Sequence, residues 1–291
     1  MARSDERELL RLWQGLGYYS RARNLHQTAR YVTNELAGKF PDSFRDLLKM
    51  KGIGVYTAAA IASFAFGERV PVVDGNVYRV LARVFGIYED ITTTGAKKTF
   101  AELAMRLIQP ANDPATYNQA IMEFGAIQCT PVSPDCLLCP VQQQCVAYQT
   151  GSQHRLPVKA KKAPVRERFF NYLVFSNGSK IALCERKNRD VWQNLYDFYL
   201  LETDEDQSTL HDLPLPELVR NLVKQGRSAS LPTTAVQLLS HQRIRAHFFA
   251  IELPDSASAR LPTGLNWYTV EEAEQLPKPV IVTNYLEKAF G

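Results

Sequence analysis

The sequence lacks any apolar run long enough to cross a bilayer. Its longest nearly unbroken one, Thr57 to Gly67, falls well short of the ~20 residues that a spanning helix needs. It lacks a secretion signal as well: the opening Met1-Ala-Arg-Ser-Asp-Glu-Arg-Glu is charged and helical in pattern. The dispersed cysteines of a disulfide framework are missing too, since four of the five cysteines fall in one short stretch. No internal repeat is present. These absences argue against secreted and membrane classes, and point to a cytoplasmic, intracellular protein, expected as a monomer without a membrane partner. Nor is there a large charge excess. The net charge of +4 is compatible with nucleic acid but is no evidence for it alone. The charge is uneven, however: Arg155, Lys159, Lys161, Lys162, Arg166 and Arg168 stand against the lone acid Glu167 between Gly151 and Arg168.

What is present is an ordinary globular composition, 45% hydrophobic and 22% charged over 291 residues, with length for two domains. Residues 1–150 read as helices: Glu6 to Trp13, Asn24 to Glu35, Phe44 to Met50, Thr57 to Phe66, Val77 to Phe85, Lys97 to Ile108 and Tyr117 to Ile127. Residues 151–168 read as a basic, proline-containing linker. The period then changes. Phe169 to Ser176, Ile181 to Arg186, Tyr196 to Glu202 and Ile244 to Leu253 read as strands, with a hairpin turn at Asn177-Gly178 and a helix over Leu215 to Gln225. The expectation is a multidomain chain, α followed by α+β, with a second domain over 169–291.

Four segments carry chemistry. Cys129, Cys136, Cys139 and Cys145 have the spacing C-x6-C-x2-C-x5-C. Structural zinc usually takes two C-x2-C knuckles far apart in sequence, and here only Cys136 and Cys139 form one. Thiolates also hold iron–sulfur clusters, so a [4Fe–4S] cluster is expected ahead of zinc. Four thiolates leave no open position for a substrate, which favours a structural role. Cys184 reads as an ordinary buried thiol in a strand.

The second segment, Leu48-Lys-Met-Lys-Gly-Ile-Gly-Val-Tyr-Thr-Ala, joins two helices through Lys51-Gly52-Ile53-Gly54. Free N–H groups at the start of the following helix suit a phosphate, the helix-hairpin-helix pattern that grips DNA backbone. A plain glycine turn remains the alternative. In the third, Pro71-Val-Val-Asp-Gly-Asn-Val, Asp74 sits where a helix takes its N-cap, which is reason enough for an Asp unless it also faces a pocket. The fourth, Trp13-Gln-Gly-Leu-Gly-Tyr-Tyr-Ser-Arg-Ala-Arg-Asn-Leu, offers tyrosines and arginines, including Tyr18 and Arg21, that suit insertion into stacked bases. An aromatic core with exposed arginines accounts for it equally well.

Taken together these segments resemble the endonuclease III superfamily of DNA glycosylases. The G-L-G-Y-Y-S-R-A-R-N-L loop and the second domain narrow the resemblance to the adenine DNA glycosylase (MutY) family, over essentially the whole chain. The resemblance implies a partial six-helix barrel with a helix-hairpin-helix and an iron–sulfur loop, followed by a Nudix-like domain. It implies excision of adenine mispaired with 8-oxoguanine or guanine in double-stranded DNA, with the base flipped out. Asp74 would stabilise an oxocarbenium-like sugar, with Asn76 and Tyr56 lining its pocket. Tyr18 would intercalate, with Arg21 beside it at the DNA, and Lys51, Gly52 and Gly54 would meet the backbone. Tyr56 stands where bifunctional relatives carry a Schiff-base lysine, so a monofunctional enzyme is implied. Leu239-Ser240-His241 is similar to the family's F-S-H segment, so Ser240 and His241 would read 8-oxoguanine. The catalytic Nudix signature is absent, and Glu202, Asp204, Glu205 and Asp206 are wrongly spaced for it. His211 and His247 read as structural.

One family element has no counterpart in these residues: a stretch ahead of G-L-G-Y-Y with an L-Q-Q-T motif and a glutamate that protonates adenine. Glu6 and Glu8 precede the loop too closely to replace it. The expectation is an N-terminally truncated chain that cleaves little adenine and exposes apolar surface on its first domain. The alternatives are a non-catalytic lesion-binding relative, and a Nudix hydrolase fused to an iron–sulfur module.

Overall fold

The structure is a computed structural model that describes all residues except 161–163, 179, 208, 229–230, 255–260 and 291. Lys161 and Lys162 of the basic stretch therefore lie outside the described residues. The helical part contains α1 (Glu6–Leu12), α2 (Tyr19–Asn34), α3 (Phe44–Leu47), α4 (Val55–Phe66), α5 (Gly75–Phe85), α6 (Thr94–Ile108), α7 (Pro114–Ile127) and α8 (Val146–Gln149). Each expected helix is present, and several begin two to five residues earlier than periodicity predicts. The first turns carry no apolar pattern, but their caps fix them. Ser43, Asp74, Thr93 and Asp113 each accept a backbone N–H from the first turn of their helix. Gly67 and Gly86 end α4 and α5 in the left-handed region, where a side chain is disfavoured.

The chain divides into two compact units: residues 31–162 form one, and residues 1–30 with 163–291 form the other. This departs from the expected division at residue 150. α1 and the first half of α2 carry the amphipathic pattern of the helical part, but Leu10, Tyr19 and Ala22 are buried in the core of the sheet-containing unit. Periodicity shows that a helix has an apolar face; it does not show what covers that face.

In the 31–162 unit, Leu47, Met50, Ala58, Ala59, Ala62, Val70 and Val72 pack α3 against the alanine-rich face of α4. A second cluster, Val77, Leu81, Phe100, Ala104 and Ala147, joins α5, α6 and α8. Leu156 is buried in that cluster, so the first half of the expected linker is part of this unit and not a loose tether.

The other unit holds a mixed sheet of β1 (Arg166–Asn177), β2 (Lys180–Glu185), β3 (Tyr196–Asp197), β4 (Tyr199–Thr203), β5 (Arg227–Ser228), β6 (Thr233–Leu238), β7 (Gln242–Glu252) and β8 (Leu265–Thr269), with α9 (Glu217–Gln225), α10 (Val270–Gln275) and α11 (Val280–Phe290). β1 runs parallel to β7 along its whole length, Arg166 opposite Gln242 through Ser176 opposite Glu252, and antiparallel to β2 and β4. Arg166, Glu167 and Arg168, expected in the linker, open β1. Its side chains alternate: Phe170, Tyr172 and Val174 enter one core, Leu173 and Phe175 another, so both faces of the strand are covered. The strand expected over Tyr196 to Glu202 breaks at buried Phe198, because its first part pairs with β2 and its second with β1. α8, β5, β6, β8, α10 and α11 were not expected.

Candidate glycosylase site

α5 organises the first group of expected residues. Asp74 caps the helix: its Oδ1 accepts the Val77 N–H at 2.8 Å and its Oδ2 accepts the Asn76 amide at 3.1 Å. The carboxylate is half-buried and keeps acceptor capacity beyond those two bonds. The backbone leading to it is pinned from α7. Buried Asn118 accepts the Val72 N–H at 2.9 Å and donates to the Val70 carbonyl at 2.9 Å and the Ser63 hydroxyl at 2.8 Å. Two bonds of that amide go to the backbone leading to Asp74 and the third ties it to α4, so the approach to the cap is held from two helices. Tyr56 stands in the first turn of α4, 49% exposed, with no hydrogen bond to Asp74 or Asn76 among the described residues.

Arg79, one turn along α5, extends the chain of contacts. It donates to the Asn76 side-chain oxygen at 2.8 Å, to the Gly125 carbonyl at 2.5 Å and to the Cys129 carbonyl at 2.7 Å. Burial lowers its pKa, partly offset by Cys129 and Asp74. α7 approaches Asn76 so closely at Gly125 that a Cβ there would lie 2.7 Å from the Asn76 Cβ. Arg83, the next turn on, reaches the cysteine loop. Sequence reasoning missed both arginines. The available signal was the stripe Asn76, Arg79 and Arg83, which share one helix face.

The four cysteines are free thiols lining one cavity, together with Arg83, Phe124 and Tyr148. Burial raises the Cys136 thiol, and Cys129, Cys139 and Cys145 raise it further, so each of these three lies within electrostatic reach of Cys136. Among the described residues no three or more His, Cys, Asp or Glu side chains converge on a point suited to one metal ion. Four sulfurs bordering a cavity fit the donor set of a polynuclear cluster.

The glycine hairpin is built as expected. Gly52 has φ +77°, and Gly54 caps α4 with no side-chain hydrogen bond. A Cβ at Gly54 would meet open space, and Lys51, Gly52, Gly54 and Val55 are exposed. The first N–H groups of α4 therefore face an accessible edge.

The residues expected to read a lesion base lie in the other unit. Leu239, Ser240 and His241 form the tip between β6 and β7, closed by the Leu239 N–H to the Gln242 carbonyl at 2.8 Å. Leu239 packs onto the sheet core, while Ser240 and His241 are exposed. Tyr18 has φ +48°, a region a bulky residue seldom adopts, and its hydroxyl lies 2.7 Å from the Ser240 hydroxyl. The two border a cavity of about 550 Å³ with Gly15, Gly17, Trp192 and His241. Arg21 follows on exposed α2 surface. His247 is buried between the Gln207 carbonyl and Asp206, a structural tie as expected, and His211 is exposed. Cys184 is pushed up to about 12 by burial and by neighbouring Asp197.

Comparison with known proteins agrees with this arrangement. Residues 1–106 match the HhH-GPD superfamily of base excision DNA repair proteins, and residues 171–288 match the NUDIX domain. The adenine DNA glycosylase of Rattus norvegicus is 35% identical over 94% of this chain and 61% of its own. That of Homo sapiens is 32% identical over 94% of this chain and 58% of its own. The adenine DNA glycosylase of Buchnera aphidicola from Schizaphis graminum is 36% identical over 67% of this chain and 56% of its own. Along most of its length, then, this chain is similar to adenine DNA glycosylases. It spans about three fifths of the length of these three relatives. The family's glycosylase match begins at residue 1, whereas residues 1–30 pack in the same compact unit as the Nudix-like sheet. No described helix is long and apolar enough to cross a membrane.

Proposed function

We propose that this chain recognises adenine opposite 8-oxoguanine or guanine in double-stranded DNA and carries the carboxylate for its excision in base excision repair. The observation that carries the reading is the Tyr18–Ser240 pair, at 2.7 Å. A loop suited to wedging into stacked bases and a hairpin suited to reading a lesion base present their hydroxyls side by side. Both hydroxyls can donate or accept, so a base edge entering between them can replace the bond they share.

Asp74 supplies the chemistry. An ionised carboxylate beside the sugar stabilises positive charge that develops at the anomeric carbon, or adds to it, as in retaining glycosidases. Asn76 and Arg79 hold that carboxylate in place. The absence of a lysine at Tyr56 supports a monofunctional enzyme, which leaves the strand intact. The hairpin at Lys51, Gly52 and Gly54 supports sequence-independent grip of a phosphate, and Arg21 supports the same surface role. The four cysteines support a [4Fe–4S] cluster of structural purpose. An intracellular, cytoplasmic setting goes with this substrate.

Departure of adenine also needs a proton at the base, typically worth ~10²–10⁴-fold. The groups bonded to Asp74 are an amide and a backbone N–H, neither of them such a donor. We therefore expect residues 1–291 to bind the mispair firmly and to excise adenine slowly. Binding and single-turnover excision on duplexes with A:8-oxoguanine, A:G and A:T test this. Equal affinity for all three sinks the proposed specificity, and rapid excision sinks the expected slow turnover.

A further inference from the structure

Arg83 is 2% exposed, and its hydrogen bonds span the cysteine loop. On the entering arm it donates to the Thr130 carbonyl at 2.7 Å, the Pro131 carbonyl at 3.2 Å and the Cys129 carbonyl at 3.5 Å. On the departing arm its Nε donates to the Gln153 carbonyl at 2.9 Å and the Leu156 carbonyl at 3.1 Å. Its Nη1 also lies 3.4 Å from the Cys129 sulfur, and the Cys145 thiol donates to the Arg83 carbonyl at 3.4 Å. One side chain thus joins the start of the ligand segment, from Cys129 to Pro131, to the chain beyond the last ligand, and one residue touches the first and the last of the four.

The acceptors are carbonyls and a sulfur; no carboxylate is paired with this guanidinium among the described residues. A buried cation normally has an anionic partner, because its lost hydration is costly. Four thiolates around iron and sulfide make an anionic group, and its first ligand is the sulfur that Arg83 touches. Charge and N–H···S bonds near a cluster are among the levers that set its potential.

We propose that Arg83 is the positioning residue of the four-cysteine site: it clamps both arms of the loop and supplies the positive charge that retains the cluster and raises its reduction potential. This rests on the reading that the cysteines hold an iron–sulfur cluster, and the test separates the two. The whole chain, Arg83→Lys and Arg83→Gln are loaded anaerobically with ferrous iron and sulfide. Bound iron, visible absorbance, release to a chelator and the reduction potential are then measured.

The unsubstituted chain is expected to load. Arg83→Gln should release iron ~10–100-fold faster, the usual scale for outer partners of metal ligands, and its remaining cluster should have a lower potential. Arg83→Lys, which keeps charge but loses the fork, should release faster while holding a potential nearer the original. Unchanged release and potential in Arg83→Gln overturn the proposal. If that variant does not fold, Arg83→Lys decides: release as slow as the unsubstituted chain's overturns it. An unsubstituted chain that binds no iron under these conditions overturns the cluster reading and this inference with it.

Discussion

Arg79 holds Asn76 by its side-chain oxygen, at 2.8 Å, while Asn76 holds Asp74 by its amide. The same guanidinium is anchored on the Cys129 carbonyl at 2.7 Å. The orientation of the carboxylate is therefore fixed by bonds that end on the cysteine loop. Asp74→Asn should weaken binding to a duplex bearing a cationic azasugar at the target position by ~10–100-fold, about 1.4–2.8 kcal/mol. Binding to an unmodified duplex should barely change. Arg79→Gln should act in the same direction and less strongly. Competition binding with the two duplexes checks both; equal weakening on each would remove Asp74 from the site.

Gly125 is the narrowest point of this arrangement, since a Cβ would sit 2.7 Å from the Asn76 Cβ and 3.0 Å from its carbonyl oxygen. Backbone cannot swing aside as a long side chain can. Gly125→Ala should cost about 1–3 kcal/mol of stability and displace Asn76. Denaturant unfolding gives the first effect and azasugar-duplex affinity the second. A variant as stable as the parent would mean that α5 and α7 separate easily there.

At the hairpin, Lys51→Ala should weaken binding to all duplexes alike and lower the slope of log affinity against log salt by about 1. Gly52→Ala places a side chain at φ +77° and should cost about 1–2 kcal/mol through strain. Salt titrations of duplex affinity check the first and thermal unfolding the second. A selective loss on A:8-oxoguanine alone would contradict a backbone-gripping role for Lys51.

Tyr18→Phe keeps the ring and removes the hydroxyl that meets Ser240. It should lower the preference for 8-oxoguanine over guanine opposite adenine by several-fold, about 1 kcal/mol, while leaving general duplex affinity in place. Ser240→Ala should do the same. The double substitution should add little to either, because the two share one bond. Fully additive effects would show that the hydroxyls act apart.

Lys278 gives a pH dependence. It is 2% exposed, and its ammonium donates to the Ala273, Glu274 and Leu276 carbonyls at the end of α10, the last at 2.8 Å. Burial, and then the charge of Arg11, lower it to about 8. The folded chain therefore releases this proton before the unfolded chain does. As pH rises from about 8 toward the unfolded lysine value, the unfolded state holds more protons, and this group's contribution to stability grows. Lys278→Met should flatten that part of the profile. Denaturant unfolding between these limits, parent against variant, checks it, and parallel profiles would refute it.

Much of this was legible in advance because it is local. A capping Asp before an apolar helix, glycines between two helices, and the Asn177-Gly178 turn each announce themselves within a few residues. What was not legible depends on distant partners. β6, with its exposed and intermediate alternation, is short of apolar residues and is specified by pairing with β7. Arg79 and Arg83 look like surface residues of an amphipathic helix until the carbonyls of the cysteine loop appear around them. The site followed the same rule. Asn76 and Asp74 lie within one turn and could be placed in one pocket from the sequence, whereas the contact between Tyr18 and Ser240 joins residues far apart in sequence and needed the fold.

The burial of Leu10, Tyr19 and Ala22 against the sheet has a practical corollary. The stretch from residue 163 onward should not behave as an autonomous module, because residues 1–30 complete its apolar interior. Expressed alone it should be sticky and poorly cooperative. Adding residues 1–30 as a separate peptide should restore its solubility, a complementation between the two termini of one polypeptide.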